Sequence, residues 1–241
     1  MAVLRDDNVT ELVEPVGNKH SERVLPMVDA ALAKAGLTLD DIDLFAFGAG
    51  PGSFTGLRIA CGVAQGLAYG KRKQVVPIGN LRALAANAFL RIVHGDLLLA
   101  AVDARMNEAY CAIYRRDVQV TEVRVPGLQR PPSLVQLAAD EAVAIVAGNA
   151  LVAFPGVWPQ DARWIASPDA TSSAASIATL ARLDAARGLA VNPEHAAPIY
   201  VRDHVALTIE ERRNTIGAVL GGDGERSVPQ MRIASDATEQ Q

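Results

Sequence analysis

Aromatic side chains make up only 5% of this chain, so its core must be built from aliphatic residues. Half of the residues are hydrophobic and 21% are charged, a soluble globular balance. Yet no apolar run approaches the roughly 18 residues that would span a bilayer, so no membrane contact is expected. Nor does a basic stretch followed by an apolar one open the chain, and no signal peptide is read there. Two cysteines, Cys61 and Cys111, without C-x-x-C spacing exclude a disulfide framework and fit a reducing, cytoplasmic location. Positive charge is not in excess either. The net charge is −4, which argues against the chain as a primary nucleic-acid binder. The one basic run, Lys71-Arg72-Lys73, reads as a solvated turn. Histidine is scarce as well. His20, His94, His195 and His204 include no i,i+4 pair, so no helical metal site is expected and each reads as a surface or capping residue.

Glycine, by contrast, is concentrated. Residues 48–70 read GAGPGSFTGLRIACGVAQGLAYG, with seven glycines in twenty-three residues. Three catalytic readings of this stretch fail. A Walker A loop needs a Lys-Ser/Thr pair after its last glycine, and Leu57-Arg58 follows Gly56. A dinucleotide fingerprint has serine in its third glycine place and lacks the acidic ribose contact after the next strand. A nucleophile elbow around Ser53 would need glycine where Pro51 and Thr55 stand. The remaining reading is structural. Gly50, Pro51 and Gly52 shape a turn out of a strand, and Ser53 caps the following helix. On that helix Gly56, Ala60 and Ala64 lie four apart, and Gly62, Gly66 and Gly70 make a second small-residue row. Each interior glycine costs up to about 1 kcal/mol against alanine, so close approach of neighbouring chains must offset it. The chain's own sheet can meet one row. The other needs the helix at 21–35 or another protein.

Periodicity places the other elements. Val3-Leu4 and Val9–Val13 read as a hairpin around Arg5–Asn8. Residues 21–35 read as a helix with Ser21 as N-cap, Gly36 at its end and Pro26 near its first turn. Leu44–Phe47 and Val75–Ile78 read as strands and 81–93 as a helix. This β-β-α-β-α-β-α order predicts an α/β layer. A second unit starts near Leu97, with strands at 97–102, 109–114, 118–125 and 142–147 and helices at 134–140 and 173–187. Between its first two strands Asp103 and Glu108 flank Arg105. They read as an Asx turn with a local ion pair, the alternative being a pair of catalytic carboxylates. Beyond Asn214 the composition turns to Gly, Ser and polar residues, and a tail is expected over 214–241.

The motif GPGSFTGLRIACGVAQGLA resembles the signature of the TsaB (YeaZ) family. Also similar are His20-Ser21-Glu22-Arg23 with Leu25-Pro26-Met27, Asp103-Ala104-Arg105-Met106-Asn107-Glu108-Ala109-Tyr110, and Pro198-Ile199-Tyr200-Val201-Arg202. The resemblance implies an actin-like ATPase fold with two ribonuclease-H-like lobes, an N-terminal one over 1–96 and a C-terminal one over 97–213. It implies a non-catalytic subunit of the machinery that makes threonylcarbamoyladenosine in tRNA. Its partners would be TsaD, which carries the metal and transfers the threonylcarbamoyl group, and TsaE, an ATPase. This chain would hold no cofactor, ATP and metal would sit on the partners, and tRNA would be met only through the complex. Self-association of the isolated chain is a further expectation. By matching position, the partner-facing helices are 21–35 and 55–69, with Val24, Val28, Thr55, Gly56, Ile59, Ala60, Val63 and Ala64 at the interface. The alternative function is an independent, metal-free hydrolase or peptidase of the same superfamily. One departure stands out. Family members begin with a further strand and an Asp-Thr-Ser turn, whereas Met1-Ala2-Val3-Leu4 matches the second strand. About 15 residues, with the first N-lobe strand among them, are therefore expected to be missing, through a start assigned too far downstream or an incomplete expressed chain.

Overall fold

The computed structural model describes residues 1–15, 17, 19–159 and 163–202. The tail read at 214–241 and His204 lie outside the described residues.

β1 (Ala2–Arg5) and β2 (Asn8–Glu11) pair antiparallel around Asp6 and Asp7. Met1 extends this ladder by one pair. Its ammonium donates to Leu12 O at 2.8 Å, and the Leu12 N–H donates back to Met1 O at 2.8 Å. α1 (His20–Ala35) follows. Its apolar stripe runs through Val24, Val28, Ala31 and Leu32, with Ala31 and Leu32 buried. Gly36, in the left-handed region at φ 67°, closes it as expected. Ser21 is not the N-cap. Arg23 N–H already reaches Lys19 O at 3.0 Å, so the helix starts earlier and Ser21 lies inside its first turn. Pro26 sits in the second turn rather than the first, and Glu22 O loses its helical donor there.

β3 (Leu44–Gly50), α2 (Phe54–Lys71) and β4 (Gln74–Gly79) make a parallel β-α-β unit. β3 runs three residues past the sequence reading, because Gly48 and Gly50 still pair with Ile78 and Gly79. α3 (Asn80–Arg91) leads to the second sheet. There β5 (Leu97–Arg105), β6 (Glu108–Arg115) and β7 (Thr121–Gln129) form an antiparallel meander. α4 (Pro131–Asp140) crosses to β8 (Ile145–Ala147), which pairs parallel to β5. α5 (Ala150–Ala153) and β9 (Ile165–Ser167) were not read from the sequence. β9 completes the order β7-β6-β5-β8-β9. α6 (Ala174–Ala186) starts at Ser173, whose Oγ accepts from Ser176 N–H at 3.0 Å.

α6 packs against β1, β2, β3 and β4, while α1 lies on the hairpin and α2 on the parallel pair. The largest core cluster joins β4 and α3 to β5, β6, β8 and α6 through residues such as Ile78, Leu84, Leu98, Tyr114, Ile145 and Leu180. Residues Met1–Arg202 form one packed unit.

Candidate protein–protein interface

The glycine turn is filled by the chain itself. Gly50 has φ 129°, a conformation that side chains other than glycine's rarely adopt. Ile199 N–H donates to Ala49 O at 2.7 Å, and a Cβ on Gly50 would stand 2.5 Å from Ile199 O. Gly50 therefore lets the returning segment lie across the end of β3. The following Gly50–Pro51 bond is cis. Asn80 Nδ2 donates to Pro51 O at 3.0 Å, and Ser53 Oγ accepts from Gly56 N–H at 3.4 Å. Ser53 is thus the cap of α2, as read from the sequence.

At 100° per residue, α2 presents three faces. Leu57, Cys61, Ala64 and Ala68 are buried, and Cys61, Ala64 and Ala68 pack with Phe47, Ala49 and Val75. Ala60, Val63, Ala64 and Leu67 turn toward α1 and, with Val24 and Val28, line a cavity of about 960 Å³. Five of the expected interface residues, Val24, Val28, Ala60, Val63 and Ala64, thus line this cavity between the chain's own elements. Thr55 is exposed, Ile59 is half-buried, and both lie on the third, outward face. Gly62, Gly66 and Gly70 share that face, where a Cβ on any of them would meet nothing within 4 Å among the described residues. Gly56 is half-buried and approaches only Ser53.

A cluster that the sequence reading missed stands at the start of α2. The Arg58 guanidinium lies 3.8 Å over the Phe54 ring, and its Nε donates to Tyr200 Oη at 3.1 Å. The Phe54 and Tyr200 rings are 5.7 Å apart, and these residues are 49% and 46% exposed. Phe54 and Arg58 at i,i+4 on a helix were the available signal.

The charged candidates are paired locally. Arg105 N–H donates to Asp103 Oδ1 at 2.8 Å, and the Arg105 guanidinium reaches Asp103 at 3.2 Å. Glu108 accepts from Arg202 at 2.6 Å. The Asx turn with its ion pair is therefore what the structure holds. Arg23 binds Glu14 through two hydrogen bonds of 3.0 and 2.8 Å, which hold the Glu14 carboxyl below its usual range. Burial pushes the Cys111 thiol up to about 11 and raises that of Cys61. His20, His94 and His195 are exposed, and among the described residues no three His, Cys, Asp or Glu side chains gather as a metal site would need. No helix of the described residues is long and apolar enough to cross a membrane.

The layered α/β architecture and the glycine turn define the class. Residues 14–218 match the family described as "TsaD: tRNA N6-adenosine threonylcarbamoyltransferase", and the fold is of the actin-like ATPase type. Two solved structures from Pseudomonas aeruginosa share it. One, titled as YeaZ, superposes with a TM-score of 0.71 at 35% identity over 83% of this chain and 92% of its own. The other, titled as an uncharacterised protein similar to peptidase YEAZ, gives 0.74 at 33% identity over 83% and 93%. The Escherichia coli tRNA threonylcarbamoyladenosine biosynthesis protein TsaB is 33% identical over 86% of this chain and 90% of its own length. Its Haemophilus influenzae counterpart is 47% identical over 46% of each chain, so that match spans about half of the relative. The chain belongs to the TsaB (YeaZ) family.

Proposed function

We propose that this chain is the non-catalytic subunit that binds and supports a TsaD-type catalytic partner in tRNA threonylcarbamoyladenosine synthesis in the cytoplasm. The observation that carries this reading is the outward row on α2. Among the described residues nothing lies against Gly62, Gly66 and Gly70, so none of them offsets a helical cost of up to about 1 kcal/mol each. A partner helix lying against Thr55, Ile59 and this row would offset it. Leu25 on α1 is a further exposed apolar side chain. The N-terminal lobe, residues 1–96, presents this face, and the described residues from Leu97 to Arg202 complete the same packed unit. Metal, ATP and the transfer chemistry belong to TsaD and TsaE, and tRNA is met through the complex, in keeping with the net charge of −4.

The test is to mix the chain with TsaD and measure complex mass and tRNA modification. Gly66→Trp should abolish pairing and leave the fold intact. Unchanged pairing in Gly66→Trp and Gly62→Trp would overturn this placement of the interface. A peptidase reading, which one neighbour's title raises, predicts activity of the chain alone that is lost in Ser53→Ala. Ser53 Oγ is engaged as a helix cap, and among the described residues no histidine hydrogen-bonds to it.

A further inference from the structure

The charged side chains of α2 are Arg58 and Lys71, and the helix holds no acid. Lys71 pairs with Asp40. Arg58 stands in the second turn, toward the positive end of the helix dipole, and no acid in the first turn offsets it. Among the described residues its side chain makes one hydrogen bond, from Nε to Tyr200 Oη, and no ion pair. Yet this exposed side chain is held in place. Its guanidinium lies over the Phe54 ring, and Tyr200 is anchored in turn because Ile199 N–H donates to Ala49 O. With Nε engaged, Nη1 and Nη2 keep four N–H donors that meet no acceptor among the described residues. Such a fork matches the two oxygens of a carboxylate. At 100° per residue Arg58 lies about 40° from Gly62 and about 60° from Thr55 around the helix, so the fork borders the outward row.

We propose that Arg58 is the charged anchor of this face and receives a carboxylate from the partner helix that lies against Thr55, Ile59 and the glycine row. This inference rests on the reading of that face given under the proposed function. A row of glycines admits a helix at several offsets and in either direction. One ion pair at the start of the row selects a single register, and it rejects a partner with a cation there. Phe54 and Tyr200 act as positioning residues, because they fix the fork before the partner arrives. A carboxylate fits this site better than a nucleic-acid phosphate. Arg202, two residues beyond Tyr200, is engaged by Glu108, and Arg105 by Asp103. No basic stripe therefore continues from Arg58, as tracking a phosphate backbone would need.

The experiment measures binding of TsaD to the full chain at about 50 and about 500 mM salt. Arg58→Gln should weaken binding about tenfold or more at low salt and flatten its salt dependence. Arg58→Lys, which keeps the charge without the fork, should fall between parent and Arg58→Gln. Tyr200→Phe keeps the charge but frees Nε, and should raise the dissociation rate about threefold. Arg115→Gln, at an exposed arginine on β6, should bind as the parent does. Arg58 is exposed, so the melts of its variants should match the parent's. Parent-like affinity and salt dependence in Arg58→Gln would overturn the proposal and leave the docking face standing. Absence of any complex with the parent chain would overturn both. Unchanged TsaD binding with weakened tRNA binding in Arg58→Gln would give the fork to a phosphate and overturn the proposal as well.

Discussion

Arg82 and Asp184 meet across the contact of α3 and α6 in a two-point ion pair, with Nη1–Oδ2 at 2.5 Å and Nη2–Oδ1 at 3.1 Å. The Asp184 side chain is only 7% exposed. Arg82 also donates to Gln119 O at 2.6 Å, so it ties the α6 carboxylate to the loop before β7. Removing one partner leaves the other charged and poorly solvated. Asp184→Ala should cost about 3–5 kcal/mol in urea denaturation, and replacing both residues by leucine should recover much of that loss.

Gly50 offers a backbone test. Alanine there would be strained at φ 129° and would press on Ile199 O at 2.5 Å. Gly50→Ala should destabilise by about 1–3 kcal/mol, read as a lower Tm, and should loosen the segment around Tyr200.

Bulky substitutions on α2 should separate binding from folding. Ala64 is buried against β3, so Ala64→Trp should unfold or strongly destabilise the chain. Gly62→Trp enters open space and should leave the circular dichroism melt unchanged while abolishing capture of TsaD.

Acid should act on the turn at Leu39–Asp41. Hydrogen bonds from Thr38 N–H and Thr38 Oγ1, each 2.8 Å, hold the Asp41 carboxyl below its ordinary value of 3.8. Its folded pKa is depressed, so its contribution is present above pH 3.8 and is lost as pH falls through the folded value. Asp41→Asn should melt below the parent chain at pH 6, and the gap should close as pH drops below 3.8.

Both thiols should be silent in the folded protein. Cys61 and Cys111 are buried, and Cys111 is pushed up to about 11. A thiol reagent at pH 8 should titrate neither until denaturant is added.

The long periodic elements were legible in the sequence. α1 and α2 carry stripes at 3–4 spacing, and Ser53 and Gly36 mark their ends by known cap chemistry. β9 and α5 have three and four residues, too few to show any period. Ser21 misled because a good cap residue one position inside a helix looks the same as one at its start. The contacts that shape the candidate face were the least visible. Arg58 and Tyr200 are separated by 142 positions, and Arg82 and Asp184 by 102. Sequence could name the small rows of α2 but not their directions. Only packing shows that Ala60 and Ala64 turn inward while Gly62 and Gly66 turn out.

The largest core cluster draws on both sides of residue 96, with Ile78, Leu84 and Phe89 interleaved among Leu98, Tyr114 and Ile145. The change from one sheet to the other is therefore not a place where the chain can be cut. A fragment ending at residue 96 would carry α1 and α2 but would expose half of a shared interior. The described chain should melt as one cooperative unit, and a minimal docking module cannot be obtained by cleavage there.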